Sequence, residues 1–156
     1  MKAKRLHADC RASLEEAEAL CRDRGARFTP MRREVYALML SQAAPRSAYD
    51  LLGEMQKRLE RTLAPPTVYR ALEFLLEQGL IHRLESNNSY VPCAHPGEVH
   101  HSLYLVCTVC GTTAELEDGD VGGLLRARAR AVGFTPRKQV VEVQGTCSDC
   151  SATRRD

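Results

Sequence analysis

Apolar positions recur at helical spacing through the first half of the chain and alternate in short strand-like runs through the second. Ser13 followed by Glu16 fits a capping box, predicting a helix that runs towards Arg24 and stops at Gly25. Thr29-Pro30 supplies an N-cap and a proline at the first helical position. Met31, Val35, Leu38 and Met39 then share one face. Ser47 opens a third predicted helix with Leu51, Leu52, Met55 and Leu59 as its buried stripe. Pro65-Pro66-Thr67 opens a fourth, which Gly79 ends. Val68, Leu72, Leu75 and Leu76 form its core face, leaving Tyr69, Arg70, Glu73 and Glu77 outside. Leu80 to Glu85 and Ser89 to Cys93 are strand-like, joined by Ser86-Asn87-Asn88, so a hairpin is expected.

Helices followed by a hairpin are the order of a winged helix-turn-helix, and equally of a small helical bundle with a β appendage. The character changes near Pro92 to Gly97. Beyond it, Ser102 to Cys107 and Thr112 to Glu117 read as strands, Asp120 to Val132 as a helix stopped by Gly133, and Gln139 to Gln144 as a strand. The expected class is α+β. The expected organisation is a winged-helix domain over 1–91, a hinge over 92–97 and a small α/β domain over 98–156.

Charge changes this picture only slightly. The net charge of the 156 residues is +2. Residues 1–86 carry 15 Lys/Arg against 12 Asp/Glu, and residues 87–156 carry 7 against 8. That asymmetry permits a nucleic-acid-binding front half without requiring one. Met1-Lys2-Ala3-Lys4-Arg5 is basic, but Asp9, Arg11 and Glu15 interrupt any apolar run after it, so no signal peptide is expected. No apolar run approaches the roughly 18 residues of a membrane helix. The expectation is a cytoplasmic protein with no membrane partner and with reduced thiols. Its seven cysteines then point to metal or redox chemistry before disulfides.

Cys107-Thr108-Val109-Cys110-Gly111 and Cys147-Ser148-Asp149-Cys150 are the strongest chemical signal. Two residues between cysteines let both sulfurs of a tight knuckle turn to one side. Two knuckles supply four thiolates at tetrahedral corners, about 2.3 Å from a zinc ion. The 36 residues between the pairs hold a strand–helix–strand excursion, so the ion would tie a late strand to an early one, as a closed structural site. Two pairs without a thioredoxin-like strand-to-helix context favour zinc over a redox pair. Cys21, at helical spacing with Ala17 and Leu20, reads as core, and Cys10 has no assigned role.

A second, mixed group comprises His82, Cys93, His95, His100, His101 and Glu115. Imidazole, thiolate and carboxylate together form a credible zinc set, and the thiolate favours zinc over iron or manganese. These ligands come from different elements, as a sensor site requires. The alternative is scattered polar loop residues, and spacing does not arbitrate among His95, His100 and His101. No Ser/His/Asp set, phosphate-cradling glycine loop or HExxH is present, so an enzyme is not expected.

Arg27-Phe28-Thr29-Pro30-Met31-Arg32, Ser47-Ala48-Tyr49-Asp50-Leu51-Leu52 and Pro65-Pro66-Thr67-Val68-Tyr69-Arg70-Ala71-Leu72 resemble the ferric-uptake-regulator (Fur) superfamily. The run from Phe74 to His82 and that from Glu85 to Cys93 are most similar to its zinc uptake regulator branch. The resemblance spans about residues 13 to 151. It implies a zinc-responsive repressor, a homodimer with two zinc ions per subunit, binding palindromic double-stranded DNA operators ahead of zinc-uptake genes. It maps a structural zinc onto Cys107, Cys110, Cys147 and Cys150, and a regulatory zinc onto His82, Cys93, His100 and Glu115. His100 is preferred to its neighbour His101 because the family's ligand precedes the knuckle cysteine by six intervening residues; His95 has no role in the pattern.

For DNA, the resemblance places the helix bearing Thr67, Tyr69 and Arg70 in the major groove, with Arg70 on a purine edge. Tyr49 matches a second contact, and Arg27, Arg32 and Arg33 are candidate phosphate contacts. The alternatives are core packing for the two tyrosines and a solvated helix face for the arginines. Some members join two DNA-bound dimers through an Asp–Arg salt bridge on the helix bearing Tyr49. Here that turn reads Gly53-Glu54-Met55-Gln56 and lacks both partners, which leaves one or two dimers per operator open.

Overall fold

A computed structural model of the chain describes residues 10–42, 44–97, 102–116, 119–136 and 139–153. The fold is α+β and divides into two compact units, one within Leu6–Gly97 and one within Glu98–Asp156. Residues 92–97, expected as a hinge, fall in the first.

The first unit runs α1 (Cys10–Asp23), α2 (Pro30–Leu40), β1 (Arg46–Ser47), α3 (Ala48–Leu59), α4 (Pro65–Glu77), β2 (Ile81–Leu84) and β3 (Ser89–Pro92). Its sheet has the order β1-β3-β2, all antiparallel. β1 was not anticipated: two residues carry no periodicity, and Arg46 and Ser47 are strand only because Tyr90 and Ser89 pair with them. Helices and hairpin together form a winged helix-turn-helix.

Local chemistry sets several of the helix ends. Thr29 Oγ1 accepts from Arg32 N at 3.5 Å, and Pro30 follows at the first helical position. Ser47 Oγ accepts from Asp50 N at 3.1 Å while Asp50 reaches back to Ser47 N at 3.4 Å, a reciprocal cap. α4 closes where Leu80 N donates to Leu75 O at 2.9 Å around Gly79, whose φ is +69. That turn launches β2 directly. Ser13 corrects the sequence reading: α1 already includes Cys10, so Ser13 lies inside the helix and does not cap it.

The core of this unit gathers Leu14, Ala17 and Cys21 of α1, Val35, Tyr36 and Met39 of α2, Leu51 and Met55 of α3, and Val68, Leu72 and Leu75 of α4. Each fully buried aliphatic side chain contributes roughly 1.5–3 kcal/mol. Phe28 bridges the helices, its ring centroid 6.4 Å from both Tyr36 and Phe74.

The second unit runs β4 (Ser102–Cys107), β5 (Thr113–Leu116), α5 (Gly119–Ala131), β6 (Val140–Gly145) and α6 (Ser148–Thr153). β4 lies in the middle of its sheet, antiparallel to β5 and parallel to β6. α6 was not anticipated; at six residues it is too short to announce itself by periodicity. This unit leaves apolar side chains in solvent, among them Leu124, Leu125 and Phe134 at 58%, 42% and 63% exposure.

Candidate metal centre and nucleic-acid interface

The parallel pairing of β4 with β6 builds the first site. Their last register pair is Cys107 with Gly145, so Cys147 arrives two residues later beside the end of β4. After Cys107 the chain makes a tight knuckle. Gly111 N donates to Cys107 O at 3.0 Å, Cys107 N to Thr112 O at 2.9 Å, and Gly111 takes a φ of +74. Thr108 N, donating to Gly145 O at 2.9 Å, clips this knuckle to β6. Cys147 precedes α6, which carries Cys150.

The four Sγ atoms all lie within 4.8 Å of one another. Thiolates at tetrahedral corners about 2.3 Å from zinc stand about 3.8 Å apart. Cys110 Sγ and Cys147 Sγ are 3.7 Å apart, so the quartet has the right size for the ion. Among the described residues this is the one group of three or more such ligands that gathers.

The thiols differ in acidity. Backbone N–H groups of Cys110, Cys147 and Val109 point at Cys107 and lower its pKa to about 6. The Cys147 donor lies 3.4 Å from the sulfur. Thr112, whose hydroxyl is 3.2 Å from Cys110 Sγ, lowers the pKa of Cys110. Cys150 is pushed up to about 12 by its hydrogen bonds to the Cys147 and Cys110 sulfurs. Binding a cation here requires thiolates, so it releases protons.

The second expected ligand set is divided between the two units. His82 lies on β2 and Cys93 just past β3; both are buried. His82 pairs with Val91, and Cys93 N donates to Leu80 O at 2.9 Å, which extends the ladder by two residues. His82 and Cys93 are therefore diagonal neighbours on one face of the hairpin, roughly 7–8 Å apart across the two strands. Glu115 is on β5 in the second unit, only 3% exposed. His100, with His101, lies outside the described residues. His95 is half-buried in the segment after Cys93. A thiol, an imidazole and a carboxylate are residue types that bind zinc, and each of the three is buried.

On the first unit, α4 presents Tyr69 and Arg70 to solvent, with Thr67 half-buried at its first turn. Tyr49, on the first turn of α3, is 81% exposed, and Tyr69 is 48% exposed, so neither tyrosine is core. Between them and the hairpin lies a cleft of about 330 Å³, lined by Tyr49, Tyr69, Glu73, Arg83, Asn88 and Tyr90. Arg83 went unnoticed in the sequence; it follows His82 and so faces the other side of the strand. Its Nη2 donates to Asn88 Oδ1 at 2.8 Å, which holds it at the rim of the cleft.

The N-terminal arginines divide. Arg27 is exposed. Arg33 Nε stands 4.0 Å from Glu18. Arg32 packs its guanidinium 3.7 Å from the centroid of the Phe74 ring and donates to the Arg27 carbonyl.

A model of the ferric uptake regulator family matches residues 23–144. The chain belongs to that family. The zinc uptake regulation protein of Escherichia coli (strain K12) is 43% identical to this Fur-family chain over 138 residues, covering 88% of the chain and 80% of that protein. A solved zinc uptake regulator complexed with zinc and DNA superposes with a TM-score of 0.89 at 39% identity, covering 96% of this chain and 99% of the other. The crystal structure of holo XcZur gives a TM-score of 0.82 at 43% identity, with 90% and 98% covered.

Proposed function

We propose that the protein is a zinc-responsive transcriptional repressor that binds palindromic operators as a zinc-loaded homodimer and represses zinc-uptake genes. The observation that carries this reading is the 43% identity to a zinc uptake regulation protein across 88% of the chain. It acts as a cytoplasmic DNA-binding protein and not as an enzyme. Among the described residues no helix is long and apolar enough to cross a membrane.

Two zinc ions per subunit are assigned. Cys107, Cys110, Cys147 and Cys150 would hold the structural ion, which closes the second unit and contributes to its folding. His82, Cys93, His100 and Glu115 would hold the regulatory ion, whose thiolate ligand favours zinc over harder metals. Residues 1–91 then serve as the DNA-reading domain, 92–97 as the hinge and 98–156 as the dimerisation domain. The exposed Leu124, Leu125 and Phe134 support a homodimer, since a second copy would take them out of water.

DNA reading falls to α4. Arg70 addresses a base edge, Thr67 and Tyr69 flank it, and Tyr49 reaches the same groove from α3. Arg27, exposed beside α2, suits a phosphate. Because His82 and Cys93 stand on the hairpin that directly follows α4, occupancy of the regulatory set reports zinc level to the reading head. Shifting a head from mostly incompetent to mostly competent, 1:99 to 99:1, needs about 5.5 kcal/mol of differential affinity.

The test is binding to a random duplex pool across a zinc titration, for wild type and Cys93→Ser. Wild type should enrich a palindrome as zinc rises. The variant should keep its four-thiolate zinc and its fold but lose zinc-dependent binding. If Cys93→Ser enriches the same palindrome at the same zinc level, or if iron or manganese serves wild type as well as zinc does, the reading is wrong.

A further inference from the structure

Glu73 sits among the side chains assigned to DNA and carries the wrong charge for that company. It is exposed on α4, three residues after Arg70 and four after Tyr69. Residues at those spacings are neighbours on one helix face. Glu73 also lines the cleft that Tyr49 and Tyr69 border. Arg83, which lines the same cleft, donates to Asn88 Oδ1 at 2.8 Å and lies 3.7 Å from Glu85. Among the described residues Glu73 forms no ion pair, with Arg70, Arg83 or any other cation. A free carboxylate on this face weakens binding as duplex DNA approaches, because phosphates wall the groove that admits a helix. Only a donor inside the groove offsets that repulsion. The major groove offers two amino donors, cytosine N4 and adenine N6. Adenine sets its N7 acceptor beside the donor, which repels a carboxylate, whereas the cytosine edge presents the donor alone. Guanine and thymine edges carry only acceptors and a methyl group, so the same side chain rejects both.

We infer that Glu73 is a specificity-determining residue, accepting from the N4 amino group of a cytosine close to the purine that Arg70 addresses. The inference deepens the DNA-reading role proposed above for α4 and rests on it. Three residues advance a helix by about 4.5 Å, and one base step is about 3.4 Å. Arg70 and Glu73 are thus spaced for the same base pair or for adjoining ones. Their charges suit opposite edges: the guanidinium donates to guanine O6 and N7, and the carboxylate accepts from cytosine N4. Glu77, the last residue of α4, lies a turn further on and outside the cleft, so it does not share the role.

The test selects binders from a random duplex pool with the zinc-loaded full chain, comparing wild type with Glu73→Gln and Glu73→Ala. Both replacements are good helix formers at an exposed position, so neither should disturb the fold. Wild type should enrich a motif with cytosine at one position of each half-site, favoured at least about fivefold over the other bases, the low end of a mismatch penalty. Glu73→Gln should move that position to adenine, which a side-chain amide reads through N6 and N7. Glu73→Ala should level the position and leave the rest of the motif in place. If both variants enrich the wild-type motif unchanged, the inference is overturned. A uniform rise in affinity beside that unchanged motif overturns it too, since it reports only the loss of a bystander charge. A wild type that enriches no motif is a different failure: it removes the DNA-reading role itself, and the inference with it.

Discussion

Arg32 separates two roles that the sequence left open, and its replacement decides between them. The guanidinium lies 3.7 Å from the Phe74 ring centroid and also donates to the Arg27 carbonyl, on a half-buried side chain. A cation over an aromatic face contributes about 0.5–1 kcal/mol when exposed and about 2 when desolvated. A charged hydrogen bond to a carbonyl adds a comparable amount, reduced here by partial exposure. Arg32→Ala should therefore cost about 2 kcal/mol, read as a lower urea midpoint at unchanged slope. Arg32→Lys should lose most of the same stability, because an ammonium does not reproduce the planar stacking. DNA binding measured from low to moderate salt supplies the second readout. Were Arg32 on a phosphate, alanine in its place would flatten the dependence of log affinity on log salt by about one unit, and lysine would restore it. With Arg32 packed on Phe74 instead, that slope should stay as in wild type. Unchanged stability together with a flattened slope rescued by lysine would refute the packing role.

Other consequences of the geometry are open to measurement. Arg70→Ala should lose roughly 1–3 kcal/mol of discrimination at one operator position, read by competition between operator variants, whereas a uniform loss across sequences would place Arg70 on phosphate. Glu60 closes α3 with a φ of +50, a left-handed conformation costly for a residue with a side chain, so Glu60→Gly should raise stability by about 1 kcal/mol in urea denaturation. The backbone donors around Cys107 bring its pKa to about 6, below the ordinary thiol range. Thiolate absorbance in reduced, metal-stripped protein should therefore rise by about one cysteine as pH rises through about 6, and Cys107→Ser should remove that step. By linkage, a lowered folded pKa adds stability above the ordinary range that is lost as pH falls through about 6. An absorbance step that survives Cys107→Ser, or that first appears in the ordinary thiol range, would contradict this.

What could be read from the sequence was what its neighbours in the chain determine. Thr29-Pro30, Ser47 and Gly79 each mark an end by chemistry confined to one turn, and the structure places helix ends there. The paired CxxC spacing implies a quartet because each knuckle is local, and the four sulfurs do converge. What escaped depends on distant partners. β1 exists through Tyr90 and Ser89, more than forty residues on. The role of Arg32 depends on Phe74, brought near by the packing of α2 on α4. Tyr104 meets Glu115 only in the one β4–β5 register that pairs them, which alternation alone does not select. Ser13 was misread because a capping-box pattern also occurs inside a helix, and nothing local tells the two apart.

The placement of β4 has a consequence for biosynthesis. It is the middle strand, yet its parallel neighbour β6 pairs Ser102 with Val140, far along the chain. Ribosomal synthesis runs from the N-terminus, so β4, β5 and α5 emerge before anything can cover the second flank of β4. During that interval a row of unpaired peptide groups is open to association with other nascent chains. The first two thiols wait as well, since 37 positions separate Cys110 from Cys147. The four sulfurs can therefore gather only once the last strand is made, and until then reducing conditions and shielding of that open flank decide how many chains keep their thiols.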